Sequence, residues 1–336
     1  SEALARAIGG HVLVFLLCEN TSGTLLGYLG CLRCGAVPLL LDAHIAPGLL
    51  KGLAETYCPA FYYAPCDLPK ETRAVLPQAA PVLELHGSLL LSGSVEGPAI
   101  HPDLALLLTT SGSTGSPKLV RLSEKNLDAN ARSIAEYLNL GEDERPITTL
   151  PMNYTYGVSI LNTHLDVGAT ILVTEHGIAQ REFWDFFRRE NATSFGGVPY
   201  TYEMLDRMRF FRMELPSLRT MTQAGGKLQK ELHRKFVEWC LEKGKQFIVM
   251  YGQCEATARM AYLPWEKSLE KVGGIGIAIP GGQFRLIAAD GSEITETGVG
   301  FVIRKKLLRL GDLFKPMRPK AEKEKQKRNE SDARQK

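Results

Sequence analysis

Long apolar runs, a signal peptide and internal repeats are all absent from this chain of 336 residues. No apolar run approaches the length needed to cross a bilayer. No basic segment followed by an apolar stretch marks a signal peptide, and no internal repeat is present. Seven cysteines without such a signal are typical of a reducing compartment. We therefore expect a cytoplasmic protein with no membrane span.

Metal-binding cysteine patterns are also scarce. Cys31 and Cys34 have the C-x-x-C spacing, but tetrahedral zinc needs two more ligands. Cys58 and Cys66 lack the paired spacing that would supply them. We expect Cys31 and Cys34 to lie on one helix and to pack as small hydrophobic residues.

The body of the chain has no basic excess. Residues 315–336 hold nine Lys/Arg and four Asp/Glu, a net charge of +5, whereas the whole chain carries +3 and the rest therefore −2. We expect no nucleic-acid binding by the folded body. The tail at 315–336 has almost no large apolar residue and is predicted to be disordered, with a nucleic-acid contact by the tail left open.

The composition of the whole chain is that of a large folded globule, with 44% hydrophobic and 23% charged residues. Apolar runs predict strands at Val12–Leu17, Ile171–Val173 and Phe247–Met250. Amphipathic stretches between them predict helices, for example at Gln180–Arg189. This alternation predicts an α/β fold with doubly wound parallel sheets flanked by helices.

Against this background, the segment Thr109–Lys118 reads TTSGSTGSPK. It follows an apolar run, Leu104–Leu108, and precedes a helix start with Ser123 as the N-cap. Glycines, hydroxyls and a lysine in a loop so placed can wrap a phosphate. The loop is neither a Walker A sequence nor a G-x-S-x-G elbow. A flexible surface linker is the alternative.

Thr110–Lys118 resembles the phosphate loop of the adenylate-forming enzymes, the superfamily of acyl-CoA synthetases, luciferases and peptide-synthetase adenylation domains. It matches the pattern [ST]-S-G-[ST]-[ST]-G-x-P-K at every position. The resemblance implies catalytic roles for Lys118 and Thr114. It also implies nucleotide contacts by Thr110, Ser111, Gly112, Ser113, Thr114, Gly115 and Lys118.

Pro151–Gly157, PMNYTYG, resembles the family's P-L-F-H-x-x-G segment, which lines the pocket for the carboxylic acid. The segment Asn191–Pro199 resembles a second wall of that pocket. The resemblance implies pocket residues Tyr154, Gly157 and Val198. Tyr154 stands where many members have histidine. An aromatic turn that packs on the core is the alternative.

Gln223–Leu228, QAGGKL, is similar to the family's S-G-G-A-P-L turn along the adenine, which implies contacts by Gly225, Gly226 and Lys227. A simple loop leading into a helix is the alternative. Tyr251–Glu255, YGQCE, resembles Y-G-x-T-E. It implies that Tyr251 stacks on adenine, that Glu255 acts in catalysis and holds Mg²⁺, and that the nucleotide also meets Gly252, Gln253 and Cys254. Cys254 replaces a threonine whose hydroxyl donates to the α-phosphate, and a thiol is a weaker donor. A solvated surface charge is the alternative for Glu255.

The resemblance extends over about residues 10–300 and implies a nucleotide-binding N-terminal domain over 1–300, with α/β subdomains to about 270 and a β-rich piece from about 271. Residues 301–314 are predicted to be a remnant, either of the hinge or of the family's T-G-D-L segment, in which Asp312 would bind ribose. The mobile C-terminal lid with its catalytic lysine has no counterpart in this sequence. We expect a truncated or rearranged chain.

The function that the resemblance implies is ATP- and Mg²⁺-dependent activation of a small carboxylic acid as acyl-AMP, with release of pyrophosphate. Thioester formation with coenzyme A or the pantetheine of an acyl carrier protein would follow in the intact enzyme. The alternatives are a nucleotide- or acyl-adenylate-binding pseudoenzyme with little turnover, and a luciferase-like oxygenase. Asn153 and Tyr154 stand where amino-acid adenylating domains have an aspartate, which disfavours an α-amino acid.

Overall fold

The protein is described here by a computed structural model, which covers residues 2–78, 80–94, 97–110 and 118–285. Ser1–Gly282 form one compact unit, and only 283–285 are described from the second unit, Gln283–Lys336. The helices are α1 Glu2–Ile8, α2 Ser22–Cys34, α3 Pro47–Tyr57, α4 Lys70–Val75, α5 Glu124–Leu138, α6 Thr155–Asp166, α7 Arg181–Arg189, α8 Pro199–Arg207 and α9 Lys230–Glu242. The strands are β1 Leu13–Cys18, β2 Val37–Asp42, β3 Phe61–Pro65, β4 Leu83–Leu85, β5 Ser88–Ser92, β6 Leu104–Thr110, β7 Lys118–Ser123, β8 Ser194–Gly197, β9 Thr220–Gln223, β10 Gln246–Tyr251, β11 Ala261–Tyr262 and β12 Ile277–Ala278.

Seven of these strands form the first sheet, in the order β4-β5-β3-β1-β2-β6-β7. The central strands β3, β1, β2 and β6 are parallel, and β1 is buried along its whole length. An apolar strand that is covered on both faces is typical of a parallel sheet between helices. The outer strands β4, β5 and β7 run antiparallel to their neighbours.

The second sheet has the order β12-β11-β10-β9-β8. Strands β8, β9 and β10 are parallel, whereas β11 and β12 are antiparallel additions. The α/β class with flanking helices is thus confirmed, but the sheets are mixed rather than wholly parallel. The strand predicted at Ile171–Val173 is wrong, since only a single bridge joins Leu172 to Ile147.

A cluster of aromatic side chains fills the core beneath the second sheet. Phe183 and Phe187 of α7 are fully buried, as the predicted amphipathic face requires. Phe187 meets Phe195 of β8, and Phe210 packs against Phe195 at a ring-centroid distance of 6.3 Å. Such edge-to-face and tilted pairs make the packing directional, so α7 is fixed relative to β8.

Helix α5 begins at the predicted N-cap, Ser123. The Ser123 hydroxyl accepts from the Asn126 N–H, and the Asn126 side chain accepts from the Ser123 N–H, which completes a capping box. Further along the helix, the Asn130 amide donates to the carbonyl of Arg259 at 3.0 Å. The Ser133 hydroxyl donates to the carbonyl of Pro280 at 2.8 Å.

All seven cysteines are free. Cys31 and Cys34 both lie on α2, as predicted, and burial raises the pKa of the Cys31 thiol. The Cys34 thiol donates to the backbone carbonyl of Cys31 at 3.4 Å, and the Cys31 side chain is fully buried in the core. In the part of the chain that the structure describes, every helix is too short or too polar to span a bilayer.

Candidate active site

The phosphate-loop candidate is held at both ends by the β6–β7 hairpin. Thr110 and Lys118 are cross-strand partners, and the Thr110 hydroxyl donates to the Lys118 carbonyl at 3.4 Å. Lys118 is exposed. The predicted contact residues between them lie outside the described residues: Ser111, Gly112, Ser113, Thr114 and Gly115. Thr110 and Lys118 thus lie side by side, as the two ends of a loop that follows β6 must.

Strand β7 packs against the short 3₁₀ turn Cys254–Ala256, which follows β10. The turn is partly open, and Glu255 and Gln253 are exposed. Tyr251, at the end of β10, has 40% of its surface exposed. The strand that carries Lys118 and the turn that carries Glu255 are thus direct neighbours.

The Cys254–Ala256 turn is connected to the start of α6 by a hydrogen bond. The hydroxyl of Thr155 donates to Sγ of Cys254 at 2.6 Å. Its neighbour Tyr154 is the N-cap residue of α6 and is half-buried. Burial raises the pKa of Tyr154, and the nearby Cys254 thiol adds to the increase, while Arg259 opposes it. Tyr154 therefore presents a neutral hydroxyl at neutral pH.

That hydroxyl reaches the glycine pair. Gly225 has φ +78°, and a Cβ placed on it would lie 2.5 Å from Tyr154 Oη and 3.0 Å from Val198 Cγ1. Only glycine adopts this backbone conformation without strain while leaving the tyrosine in place. Three residues predicted from separate motifs, Tyr154, Val198 and Gly225, thus meet at one point.

Hydrogen bonds from the Gln223 side chain hold the turn around the glycine pair. The buried Gln223 side chain donates to the carbonyls of Ala224 and Gly226, at 3.1 and 2.9 Å. Gly225, Gly226 and Lys227 themselves are exposed. An exposed backbone edge that is held by these hydrogen bonds is suited to a flat aromatic ligand such as adenine.

Two of the predicted contact glycines serve packing. A Cβ on Gly157 would lie 2.2 Å from the Pro151 carbonyl oxygen, and one on Gly252 would lie 1.6 Å from the Ala258 carbonyl oxygen. Gly157 is buried and Gly252 is partly exposed. Asp312, the predicted ribose ligand, lies outside the described residues.

A cation at this site would depend on few protein ligands. Among the described residues, no group of three or more His, Cys, Asp or Glu side chains is close enough to hold a metal ion. Mg²⁺ in nucleotide sites is held by one or two carboxylates together with phosphate oxygens and water. The exposed Glu255 carboxylate fits that arrangement.

Sequence reasoning missed two residues of this region, Thr155 and Arg259. Thr155 lies within the predicted pocket segment Pro151–Gly157, but its partner Cys254 is 99 positions away in the sequence. Arg259 follows the turn and is only 4% exposed, with its Cζ 3.9 Å from the centroid of the Tyr156 ring. No local pattern distinguishes a buried arginine from a solvated one.

The sequence profile of a family described as AMP-binding enzyme matches residues 2–303. Indoleacetate–CoA ligase from Aromatoleum aromaticum is 30% identical over 213 residues, which are 61% of this chain and 40% of the relative. Feruloyl-CoA synthase from Amycolatopsis is 27% identical over 280 residues, 81% of this chain and 55% of the relative. The chain thus spans about half the length of the curated relatives it matches.

Solved structures agree with the fold. The o-succinylbenzoate CoA synthetase of Bacillus subtilis, in complex with its acyl-adenylate intermediate, superposes with a TM-score of 0.69 at 21% identity. The alignment covers 88% of this chain and 61% of that one. The N-terminal domain of FACL13 from Mycobacterium tuberculosis gives a TM-score of 0.69 at 18% identity, over 87% and 77% of the two chains.

Proposed function

Because the chain belongs to the AMP-binding enzyme family, we propose that it takes part in ATP-dependent activation of a carboxylic acid, which forms acyl-AMP and pyrophosphate. A thiol then displaces AMP to give a thioester. Coenzyme A is the preferred thiol, since the curated relatives are named CoA ligases and CoA synthases. The pantetheine of an acyl carrier protein is the other acceptor with suitable chemistry.

The observation that carries this proposal is the convergence of four segments that are far apart in sequence. Strand β7, which begins with Lys118, packs against the turn that carries Glu255. Thr155 binds that turn through Cys254, and the adjacent Tyr154 contacts Gly225. Each segment alone has a structural explanation, but their meeting at exposed strand ends supports a ligand site.

The charges suit the reaction. A carboxylate is a poor electrophile because oxide would have to leave, whereas AMP leaves readily from an acyl-adenylate. Attack of one anion on another needs positive charge close to the α-phosphate. Lys118 supplies one cation, and Glu255 would hold the Mg²⁺ that neutralises phosphate oxygens. The loop hydroxyls of Ser111, Ser113 and Thr114 are proposed as further donors to the phosphates.

The acids of the relatives do not single out one substrate. Their names include indoleacetate, ferulate in the form of feruloyl-CoA, oxalate and sulfoacetate. We propose a small-molecule acid and a cytoplasmic location, which the seven free thiols favour. Asp312 remains the proposed ribose ligand.

Two measurements on the full chain test the proposal. Isothermal titration calorimetry with ATP is expected to show binding that strengthens with Mg²⁺, and adenosine should compete with it. Release of pyrophosphate is then followed with a panel of acids. Absence of ATP binding at millimolar nucleotide would contradict the proposed function.

A second candidate is a nucleotide- or acyl-adenylate-binding protein with little turnover. The observation that favours it is Cys254, a weak donor at the proposed α-phosphate position, whose sulfur already accepts from Thr155. Acid-dependent ATP–pyrophosphate exchange separates the two candidates. Exchange supports the ligase, whereas ATP binding without exchange, also after addition of a separately expressed family lid domain, supports the binding protein.

A further inference from the structure

A small cavity lies between helices α5 and α6 and strands β8 and β9. One face of α6 lines it, including Tyr156, Ile160 and His164, and Ser194 and Thr222 face them from the strands. The volume is about 20 Å³, which is room for one water-sized group. Arg259, which lies three residues after the Cys254–Ala256 turn, also lines it. The cavity is therefore linked to the proposed reaction site through Arg259, which follows the turn that carries Glu255.

Arg259 is a buried cation with only weak, neutral partners. Its Nε donates to Met250 Sδ at 3.4 Å, and its Nη1 donates to the Ala258 carbonyl at 3.4 Å. The Tyr137 hydroxyl also contacts the guanidinium, which lies over the Tyr156 ring. Within 4 Å of Arg259, the described part of the chain provides no carboxylate. The guanidinium thus keeps N–H groups without a strong acceptor.

Such an arrangement costs stability. A buried charge that lacks a counter-ion is among the most destabilising features in a protein interior. The backbone before Arg259 adds strain, since Thr257 and Ala258 both have positive φ, +55° and +89°. Two unfavourable features at one place, beside the proposed reaction site, indicate that a ligand compensates for them.

Two further polar atoms of the cavity wall also lack partners. His164 Nδ1 donates to the Ile160 carbonyl at 2.8 Å, so its Nε2 presents an unprotonated lone pair. This Nε2 and the hydroxyl of Ser194 have no hydrogen-bond partner, although the two residues are only 4% and 6% exposed. Apolar side chains such as Ile134 and Phe195 form much of the wall, so these few polar groups stand out in it. A purely hydrocarbon occupant would leave His164 Nε2, Ser194 Oγ and the guanidinium of Arg259 unpaired.

We propose that the acid which this chain activates is a short one with a second anionic group, a dicarboxylate or its sulfonate equivalent, and that Arg259 binds this second group. The proposal rests on the function proposed above. The planar guanidinium matches a carboxylate in two parallel hydrogen bonds. The centroid of the Tyr156 ring, over which Arg259 lies, is 6.4 Å from the centroid of the Tyr154 ring, which meets Gly225. Arg259 and the proposed reaction site are thus joined by two neighbouring rings, which suits a short acid.

Non-hydrolysable acyl-adenylate analogues test the proposal without turnover. Three probes are titrated into the full chain by calorimetry: adenosine sulfamate, its succinyl derivative, and the neutral isostere in which isopropyl replaces the distal carboxylate. We expect the succinyl probe to bind about 10- to 100-fold more tightly than the isostere, the worth of a charged hydrogen bond. In Arg259→Met this preference should disappear. Arg189→Met is the matched control, because Arg189 also stacks on a ring, Phe186, but on the exposed face of α7.

The outcomes distinguish a failure of the proposed function from a failure of the proposed role of Arg259. If adenosine sulfamate and both derivatives fail to bind, the proposed function falls and this inference falls with it. If the sulfamate binds but wild-type protein holds the two acyl probes equally, only the inference is overturned. An equal loss for both acyl probes in folded Arg259→Met would overturn it too, since Arg259 would then act on the common acyl-adenylate group.

Discussion

The hydroxyl of Thr155 donates to the thiol sulfur of Cys254, and this single contact joins two motifs that are 99 residues apart. The sulfur serves as the acceptor, so the S–H hydrogen stays free to point elsewhere. A thiol is a weak donor, whereas a hydroxyl in the same place could accept from Thr155 and still donate to a phosphate. The contact thus positions Cys254 without supplying the donor strength that phosphate binding favours.

Cys254→Thr should therefore accelerate acyl-adenylate formation. Recovery of one ordinary hydrogen bond is worth about 1 kcal/mol, or roughly a fivefold higher rate. The measurement is acid-dependent pyrophosphate release by the full chain, or with a family lid domain added if the chain alone is slow. Cys66→Thr, at an exposed cysteine outside the site, is the control. An unchanged or lower rate in folded Cys254→Thr would show that this position does not face the α-phosphate.

Gly225→Ala should weaken both folding and ATP binding. The added methyl meets Tyr154 Oη at 2.5 Å, and the left-handed backbone is strained for alanine. We expect the free energy of unfolding to fall by about 1–3 kcal/mol. Chemical denaturation and calorimetry with MgATP measure the two effects.

Gly244→Ala separates strain from steric contact. Gly244 also has positive φ, +64°, but a Cβ there meets nothing within 4 Å. This variant should lose stability and keep its ATP affinity. Addition of Tyr154→Phe to Gly225→Ala should restore part of the loss, because it removes the contacting oxygen. Equal ATP affinity in Gly225→Ala and wild type would contradict the placement of adenine along this turn.

Glu255→Gln should remove most of the Mg²⁺ dependence of ATP binding. The side chain is exposed, so folding should be unaffected. Loss of a charged ligand predicts about 10-fold weaker MgATP binding or more, with adenosine binding unchanged. Glu266→Gln, an exposed carboxylate on a separate turn, is the matched control. Retention of the full Mg²⁺ effect in Glu255→Gln would place the cation elsewhere.

Acid should destabilise the fold through buried histidines. Burial lowers the pKa of His164 from 6.5 to about 4, so the folded state favours the neutral ring. Its contribution is fully present above pH 6.5 and is lost as the pH falls toward 4, a change of about 3 kcal/mol in the free energy of unfolding. His233, whose pKa is also lowered to about 4 by burial and by Arg234, acts in the same direction.

His164→Gln should make the dependence of unfolding free energy on pH shallower in this window, as measured by urea denaturation between pH 7 and pH 4 at half-unit steps. The exposed His176→Gln should leave the slope unchanged. An identical slope in wild type and His164→Gln would mean that His164 titrates normally in the folded protein.

Local pattern alone was enough to predict several elements. The apolar run Leu104–Leu108 became β6, and Ser123 caps α5 as expected. The run Ile171–Val173 looked equally strand-like, but its Leu172 forms only one bridge. Strand formation depends on a partner of matching length, and sequence does not reveal whether one is present.

The site was predicted through the resemblance, and its chemistry only in part. Exposure of Lys118 and Glu255 agrees with the predicted roles, which stay predictions until ligands are tested. Burial of Arg259 was not foreseeable, because it depends on Tyr156 from one element and Asn130 from another. Such contacts arise from tertiary packing, which overrides the usual exposure of arginine.

Helix α5 connects strand β7 to the backbone at Arg259 and Pro280. Ser123 is both the last residue of β7, the strand that begins with Lys118, and the cap of α5. The same helix holds the carbonyls of Arg259 and Pro280 through Asn130 and Ser133. A displacement of β7 moves Ser123, and the start of α5 moves with it unless the capping box breaks. A shift of the phosphate-loop strand would therefore reach, through α5, the backbone at Arg259 and at Pro280.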